Sequence, residues 1–256
     1  SKNPDQILPH QWPSYYSKCN GTFVWDTNNK KYLDMMCYVG QSTLGYCDPD
    51  VDRKIIETIK GGNICTLNSP EELKLSIKLN EIHKWTEMSK FCKSGGEANA
   101  VAIRIARAAT GKSHIAICGY HGWHDWYLSA AMNNGNNLDK HLMKNIKHDG
   151  VPKELKNTSH PFTYGNFYEL EKITKKYDLA AVKLEVARSS SPDIDFLKKV
   201  RDFTKRKKIV LIFDECTSGF RCNYGGLHLK TGVNPDLVMF GKTLGNGYPI
   251  TAVSGK

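Results

Sequence analysis

The chain has 256 residues, 40% of them hydrophobic and 24% charged, with a formal net charge of +10; this is the composition of a globular protein. No apolar run approaches the roughly 20 residues needed to cross a bilayer, and Ser1-Lys-Asn-Pro-Asp-Gln6 lacks the charged-then-apolar order of a secretion signal, so a cytoplasmic location without a membrane partner is expected. The densest basic tract, Lys205-Arg-Lys-Lys208, falls between a helical pattern and a strand, where cations complement a helix C-terminus; no nucleic-acid partner is expected, with an anionic-polymer binder driven by net charge as the rival reading.

In chain order, Gly21–Asp34 alternates apolar and polar residues around Asn28-Asn29, a hairpin pattern. Val51, Ile55, Ile56 and Ile59 recur at helical spacing within Asp50–Lys60. From Ser69 the pattern changes to alternating helices and strands. Ser69-Pro-Glu-Glu72 opens a helix continued by Leu73, Ile77, Leu79 and Ile82. A short strand near Lys90–Cys92 leads through Ser94-Gly-Gly-Glu97 into a helix over Ala98–Ala109 that stops at Gly111. Strands are expected at Ile115–Cys118, Ala180–Glu185, Ile209–Asp214 and Leu237–Phe240, with a helix at Ile194–Lys205. Such alternation predicts a mostly parallel α/β sheet. Residues 1–68 read as a small N-terminal subdomain and 69–256 as the large domain. The eight cysteines are scattered without a Cys-x-x-Cys pair, so reduced, structural thiols are expected.

In parallel sheets, ligands sit beyond the carboxyl ends of the strands. Tyr120, His121, Glu185, Asp214 and Lys242 all fall at such ends. Lys242 follows the buried run Leu237–Phe240 into a loop holding Gly241, Gly245 and Gly247. A lysine and an aspartate at buried strand ends suggest a Schiff-base lysine and a partner for a pyridinium nitrogen, the pair that serves pyridoxal 5'-phosphate. Asp214 otherwise caps the turn that follows it or pairs with Arg221, a role Glu215 could equally take. Gly95 and Gly96 let a helix start present free N–H groups to a phosphate; the plain alternative is a glycine turn with a serine cap. Tyr120 can stack on a flat ring. His121, His124 and Asp125 could suggest a metal site, but their spacing has no further ligand set, and no metal is expected; otherwise Trp123 and Trp126 simply pack and His124 is a surface group.

Four motifs together resemble the class III, fold-type I aminotransferases that use pyridoxal phosphate, with the glutamate-1-semialdehyde aminomutase-like subgroup as the nearest match. Phe213-Asp-Glu-Cys-Thr-Ser-Gly-Phe-Arg221 resembles the family's aspartate motif and Gly241-Lys-Thr-Leu-Gly-Asn-Gly-Tyr-Pro249 its lysine motif. Ser94-Gly-Gly-Glu-Ala98, running on to Arg107, resembles the phosphate-loop helix, and Tyr120-His-Gly122 the ring-stacking segment. The resemblance implies a central, mostly parallel sheet with helices on both faces. It assigns Lys242 the internal aldimine and proton shuttle, Asp214 the pyridinium nitrogen, Tyr120 the ring face, and Gly95 and Gly96 the phosphate. His121 and Glu185 would lie beside the cofactor. It further implies a small-molecule amino donor and carbonyl acceptor, a homodimer with a shared active site, and chemistry of surface-saccharide or tetrapyrrole type. A non-catalytic module of the same fold is the alternative function.

Three departures from the family pattern stand out. Gly96 replaces a usual Thr or Ser; Val186-Ala-Arg-Ser-Ser190 replaces a Pro-containing run; and the family continues past the lysine motif into a C-terminal small domain, beyond Lys256. Specificity is expected to lie in the N-terminal segment and between Asn133 and Gly165.

Overall fold

The computed structural model describes residues 13–133, 138–141, 147–187 and 190–256. The Ser1–Gln6 segment, Arg188 and Ser189 of the departing run, and residues 134–137 and 142–146 of the specificity loop lie outside them. Chain contacts divide the protein into two units, residues 1–69 with 245–248, and residues 70–244 with 249–256.

The first unit holds an antiparallel meander of β1 (Tyr16–Asn20), β2 (Phe23–Asp26) and β3 (Lys31–Leu33). Its turn depends on Asp26, whose carboxylate accepts from the backbone N–H groups of Asn28 and Lys30, 2.8 and 2.9 Å away. Asn29 takes the left-handed conformation at φ 61°, which Asn tolerates better than most residues. Helix α1 (Pro49–Gly61) starts where the Asp48 side chain accepts from Asp50 and Val51 N–H. It is amphipathic as the spacing predicts, yet none of its residues is buried.

The second unit is built on a sheet in the order β4-β10-β9-β8-β7-β5-β6. Its strands are β4 (Met88–Cys92), β5 (His114–Cys118), β6 (Ser159–Pro161), β7 (Leu179–Glu185), β8 (Val210–Glu215), β9 (Leu237–Phe240) and β10 (Thr251–Gly255). The β5–β6, β5–β7, β7–β8 and β8–β9 pairs are parallel, and β10 runs antiparallel to both β9 and β4. Every residue of β7 is buried, as expected for a parallel strand covered on both faces.

Side chains alternate across the pleat, so each strand feeds two cores. One gathers Val182, Leu184, Leu211, Phe213, Val238 and Phe240 against α5 (Phe167–Lys176) and α6 (Ile194–Lys207). The other gathers Ile115, Ile117, Ala181, Ile212 and Met239 against α3 (Gly95–Thr110) and α4 (Asp125–Leu128). Ala98, Ala102 and Ala106 line the inner stripe of α3, letting that helix approach the sheet closely. Each Leu, Ile or Phe fully buried here contributes about 1.5–3 kcal/mol of transfer free energy.

The basic tract ends α6: Lys205, Arg206 and Lys207 form its last turn and Lys208 is its left-handed C-cap. The described cysteines are all free thiols, Cys118 buried among apolar neighbours.

Candidate active site

The parallel strands deliver the site residues to one edge of the sheet. Glu185 and Asp214 are register partners at the ends of β7 and β8, and Asp214 is opposite Met239 of β9. Lys242 comes two residues after β9 ends. Its φ is +47°, the left-handed region, which strains a non-glycine residue and is found mainly where the surroundings enforce it. Its Nζ donates to Thr217 Oγ1 at 2.7 Å, so the lysine and aspartate motifs touch directly.

Cys216 ties these motifs to the start of α3. A Cβ placed on Gly95 would lie 3.4 Å from Cys216 Sγ, and one on Gly241 would lie 2.9 Å from it. Thr251 Oγ1 of β10 donates to the Ser94 carbonyl at 3.1 Å. Ser94 and Glu97 form a reciprocal capping box: Ser94 Oγ accepts from Glu97 N, and Glu97 Oε2 accepts from the N–H groups of Ser94 and Lys93. The serine-cap reading of this motif therefore holds. It leaves the phosphate reading open, because first-turn N–H groups such as those of Gly95 and Gly96 have no acceptor inside the helix.

Gly96 is more than permissive. A Cβ there would lie 2.7 Å from His124 Nε2 and 2.8 Å from His124 Cδ2, so the imidazole occupies the space a side chain at position 96 would need. Trp126 is buried as packing predicts, whereas Trp123 is 72% exposed and packs on little. Among the described residues no group of three His, Cys, Asp or Glu side chains is arranged to hold a metal.

Tyr120 and His121 are positioned by the turn after β5. Gly119, at φ +108°, passes so close to Glu185 that a Cβ would meet Oε2 at 2.5 Å. Glu185 Oε2 accepts from Tyr120 N at 3.1 Å, fixing where the tyrosine leaves the strand. Its ring meets Tyr127 edge-on at 6.1 Å.

Asp214 is the centre of this cluster. It is 3% exposed, and its carboxylate has three donors within the protein. Oδ1 accepts from Cys216 N at 3.1 Å, so Asp214 also caps the turn it precedes. Oδ2 accepts from His121 Nδ1 at 2.8 Å; a carboxylate only accepts, so the proton belongs to the ring nitrogen. Lys183 Nζ lies 3.5 Å from the same oxygen. Burial pushes the Asp214 carboxyl up, but Lys183 and then His121 outweigh it and hold the carboxyl well below the usual carboxylate range. Burial, with Lys183 next, also lowers the His121 imidazole. Neither Asp214 nor Glu215 uses Arg221 in these contacts: Glu215 instead accepts from Ser218 Oγ, the N–H groups of Leu227 and His228, and His228 Nδ1, at 2.6 to 2.8 Å.

Lys183 escaped the sequence reading. The strand Leu179-Ala-Ala-Val-Lys-Leu-Glu185 is apolar enough to be recognised as buried, and that burial was the signal. A lysine there has 0% exposure and needs an anion.

A buried carboxylate, an amine and a capped helix start thus lie near one another beyond the carboxyl ends of parallel strands. Residues 8–256 match the family of class-III aminotransferases, and the chain belongs to it. It is 33% identical to the 3-aminobutyryl-CoA aminotransferase of Cloacimonas acidaminovorans, over 100% of this chain and 60% of that protein. It is 34% identical to the glutamate-1-semialdehyde 2,1-aminomutase of Sulfolobus acidocaldarius, over 99% of this chain and 61% of that one. An omega-transaminase structure from Sphaerobacter thermophilus superposes with a TM-score of 0.85 at 28% identity, covering 96% of this chain and 58% of its own. The chain therefore spans about three fifths of the length of these relatives. The fold is that of fold-type I transaminases, and pyridoxal phosphate is the cofactor of the family.

Proposed function

We propose that this chain forms the cofactor-holding part of a pyridoxal-phosphate-dependent aminotransferase or aminomutase. Its substrates would be a small-molecule amino donor and a carbonyl acceptor. The observation that carries the reading is the contact chain from Asp214 through Cys216 to Gly95 and Gly241, with Lys242 bonded to Thr217. A buried carboxylate, an amine and a helix start linked through Cys216 and Thr217 support a common cofactor site. When bound, pyridoxal phosphate supplies an aldehyde that reacts with amines and a ring that withdraws electrons from the substrate carbon. Lys242 Nζ would provide the amine that holds the cofactor and the base that moves the substrate proton. Asp214, which accepts from His121, would hold the proton of the ring nitrogen. Tyr120 would bind the ring, with Glu185 fixing the backbone of Tyr120, and the N–H groups of Gly95 and Gly96 would hold the phosphate.

Both a transferase and a mutase match this chain to a similar degree, because the cofactor residues serve both reactions alike. Transfer between molecules or within one, in saccharide- or tetrapyrrole-type metabolism, is decided by the groups that bind substrate. None of these relatives supports the non-catalytic alternative.

The test is an absorption spectrum of the purified protein before and after borohydride, followed by peptide mapping. A yellow band bleached by borohydride, with the reduced label on Lys242, is the expected result. Lys242→Ala should lose the label entirely while keeping its fold by circular dichroism. A protein that stays colourless with added pyridoxal phosphate, or a label on another lysine, defeats the reading. In unreduced protein, conversion of the cofactor to its amine form by a panel of donors identifies the donor class.

A further inference from the structure

Lys183 lies in the middle of β7, on the same face as Glu185, and has no exposure to solvent. Its Nζ has Asp214 Oδ2 at 3.5 Å and Met239 Sδ at 3.0 Å. The register puts Lys183 opposite Ile212 and Asp214 opposite Glu185, so the ammonium reaches diagonally along the sheet to the aspartate from below. The neighbouring positions on this face, Ile117, Ile212 and Met239, are apolar. A side chain of this length needs only its stem to pack there. Its charge has a large desolvation cost that one carboxylate offsets incompletely.

We propose that Lys183 is a resident counter-ion of Asp214, sharing that carboxylate with the cofactor's ring nitrogen, and is thereby a positioning residue that weakens the ring nitrogen's hold on its proton. The reasoning is electrostatic. A carboxylate stabilises a pyridinium because its negative charge is otherwise uncompensated in a dry site. Here a cation already faces Asp214 Oδ2, and His121 donates to the same oxygen. The groups that face this centre are Lys183 and Glu185 from β7, Asp214 from β8, Cys216 and Lys242 from the adjoining loops, and His121 after β5. Asp214 and Glu185 are the carboxylates among them, and Asp214 is the one within ion-pair distance of Lys183. A second consequence needs no cofactor: Asp214 keeps a charge partner in the empty protein, so its carboxylate remains ionised there.

The ring-nitrogen half rests on the cofactor reading above; the Asp214 half does not. Lys183→Met keeps the stem volume and removes the charge. Holoprotein loaded with ring-15N pyridoxal phosphate should show the ring nitrogen losing its proton at least about one pH unit lower in the wild type than in Lys183→Met, an effect of about tenfold on its proton affinity. In the cofactor-free protein, the acid limb of thermal unfolding should move to higher pH by about one unit in Lys183→Met. Identical ring-nitrogen titrations and identical acid limbs overturn the proposal. If Lys183→Met does not fold, the wild type alone decides: a ring nitrogen protonated up to the alkaline limit of the protein overturns it, and loss of that proton within the neutral range supports it. If no pyridoxal phosphate is taken up and no lysine is labelled, the cofactor reading fails, and the acid limb alone judges the Lys183–Asp214 pair.

Discussion

At the scale of single residues, the site is a set of close approaches that leave little room for substitution. Gly96 and His124 illustrate this. The imidazole fills the volume that a side chain at position 96 would need, so the two positions are coupled, and a side chain there displaces the ring. Gly96→Ser should cost about 1 kcal/mol, because the ring must swing aside. The same change made together with His124→Ala should cost close to nothing. A double-mutant cycle by chemical denaturation measures the coupling, and equal costs in both backgrounds would show that His124 does not occupy that space. This pairing was beyond the sequence, where His124 reads as a surface group because nothing in Trp123-His-Asp125 reveals that the loop folds back onto the start of α3. The positions of Lys242, Asp214 and Tyr120 past strand ends, and of Gly95 and Gly96 at a helix start, were legible for the opposite reason. Each stands next to an apolar run or a glycine pair that marks a strand end or a helix start.

At the scale of elements, apolar runs made the parallel strands visible, while pairing partners hid others. Strand β10, Thr251-Ala-Val-Ser-Gly255, has no apolar run, yet every residue in it is buried. Its place is set by β9 and β4 on either side, which no local pattern encodes. Helix α5 did have a signal: Phe167, Leu170 and Ile173 at three-residue spacing behind the Asn166 cap. Edge strand β6 is anchored by a ring stack in which His160 lies 3.8 Å from Tyr177, with His160 Nε2 3.2 Å from His114 Nδ1. Burial first, then His114 and Lys176, push the His160 imidazole down to about 4. Its unfolded value is about 6.5. Between those values the unfolded chain binds the proton and the folded chain does not, so stability falls as pH falls through this window and is level above it. His160→Phe retains the stack and removes the titration. Relative to wild type it should lose up to about 3 kcal/mol of that pH dependence. Thermal unfolding of both proteins across the window checks this, and parallel curves would assign the acid sensitivity to other groups.

At the scale of the whole molecule, the first unit carries large apolar side chains that are exposed. Met35, Leu44, Ile64 and Leu67 are each more than 60% exposed, and α1 buries none of its residues. Cys37, Tyr38 and Val39 run consecutively at φ of 47°, 49° and 58°, a conformation that costs roughly 1–2 kcal/mol per residue. Strain of this kind persists when surroundings enforce it, while Tyr38 and Val39 are themselves largely exposed. Asp34 Oδ1 accepts from Met36 and Cys37 N–H at this turn, and the exposed apolar side chains of the unit call for a covering surface. We infer that a second copy of the protein provides it, in line with the shared-site homodimer that the family resemblance implies. The intact protein should then sediment as a dimer. Leu44→Glu with Leu67→Glu should raise its dissociation constant more than about a hundredfold, because each buried charge without a partner costs over about 1.4 kcal/mol. Leu73→Glu, on an exposed position of α2 (Pro70–Ile82) in the second unit, serves as the control for added charge. A dimer indifferent to the paired substitutions would place the interface elsewhere. A monomeric wild type would overturn the inference.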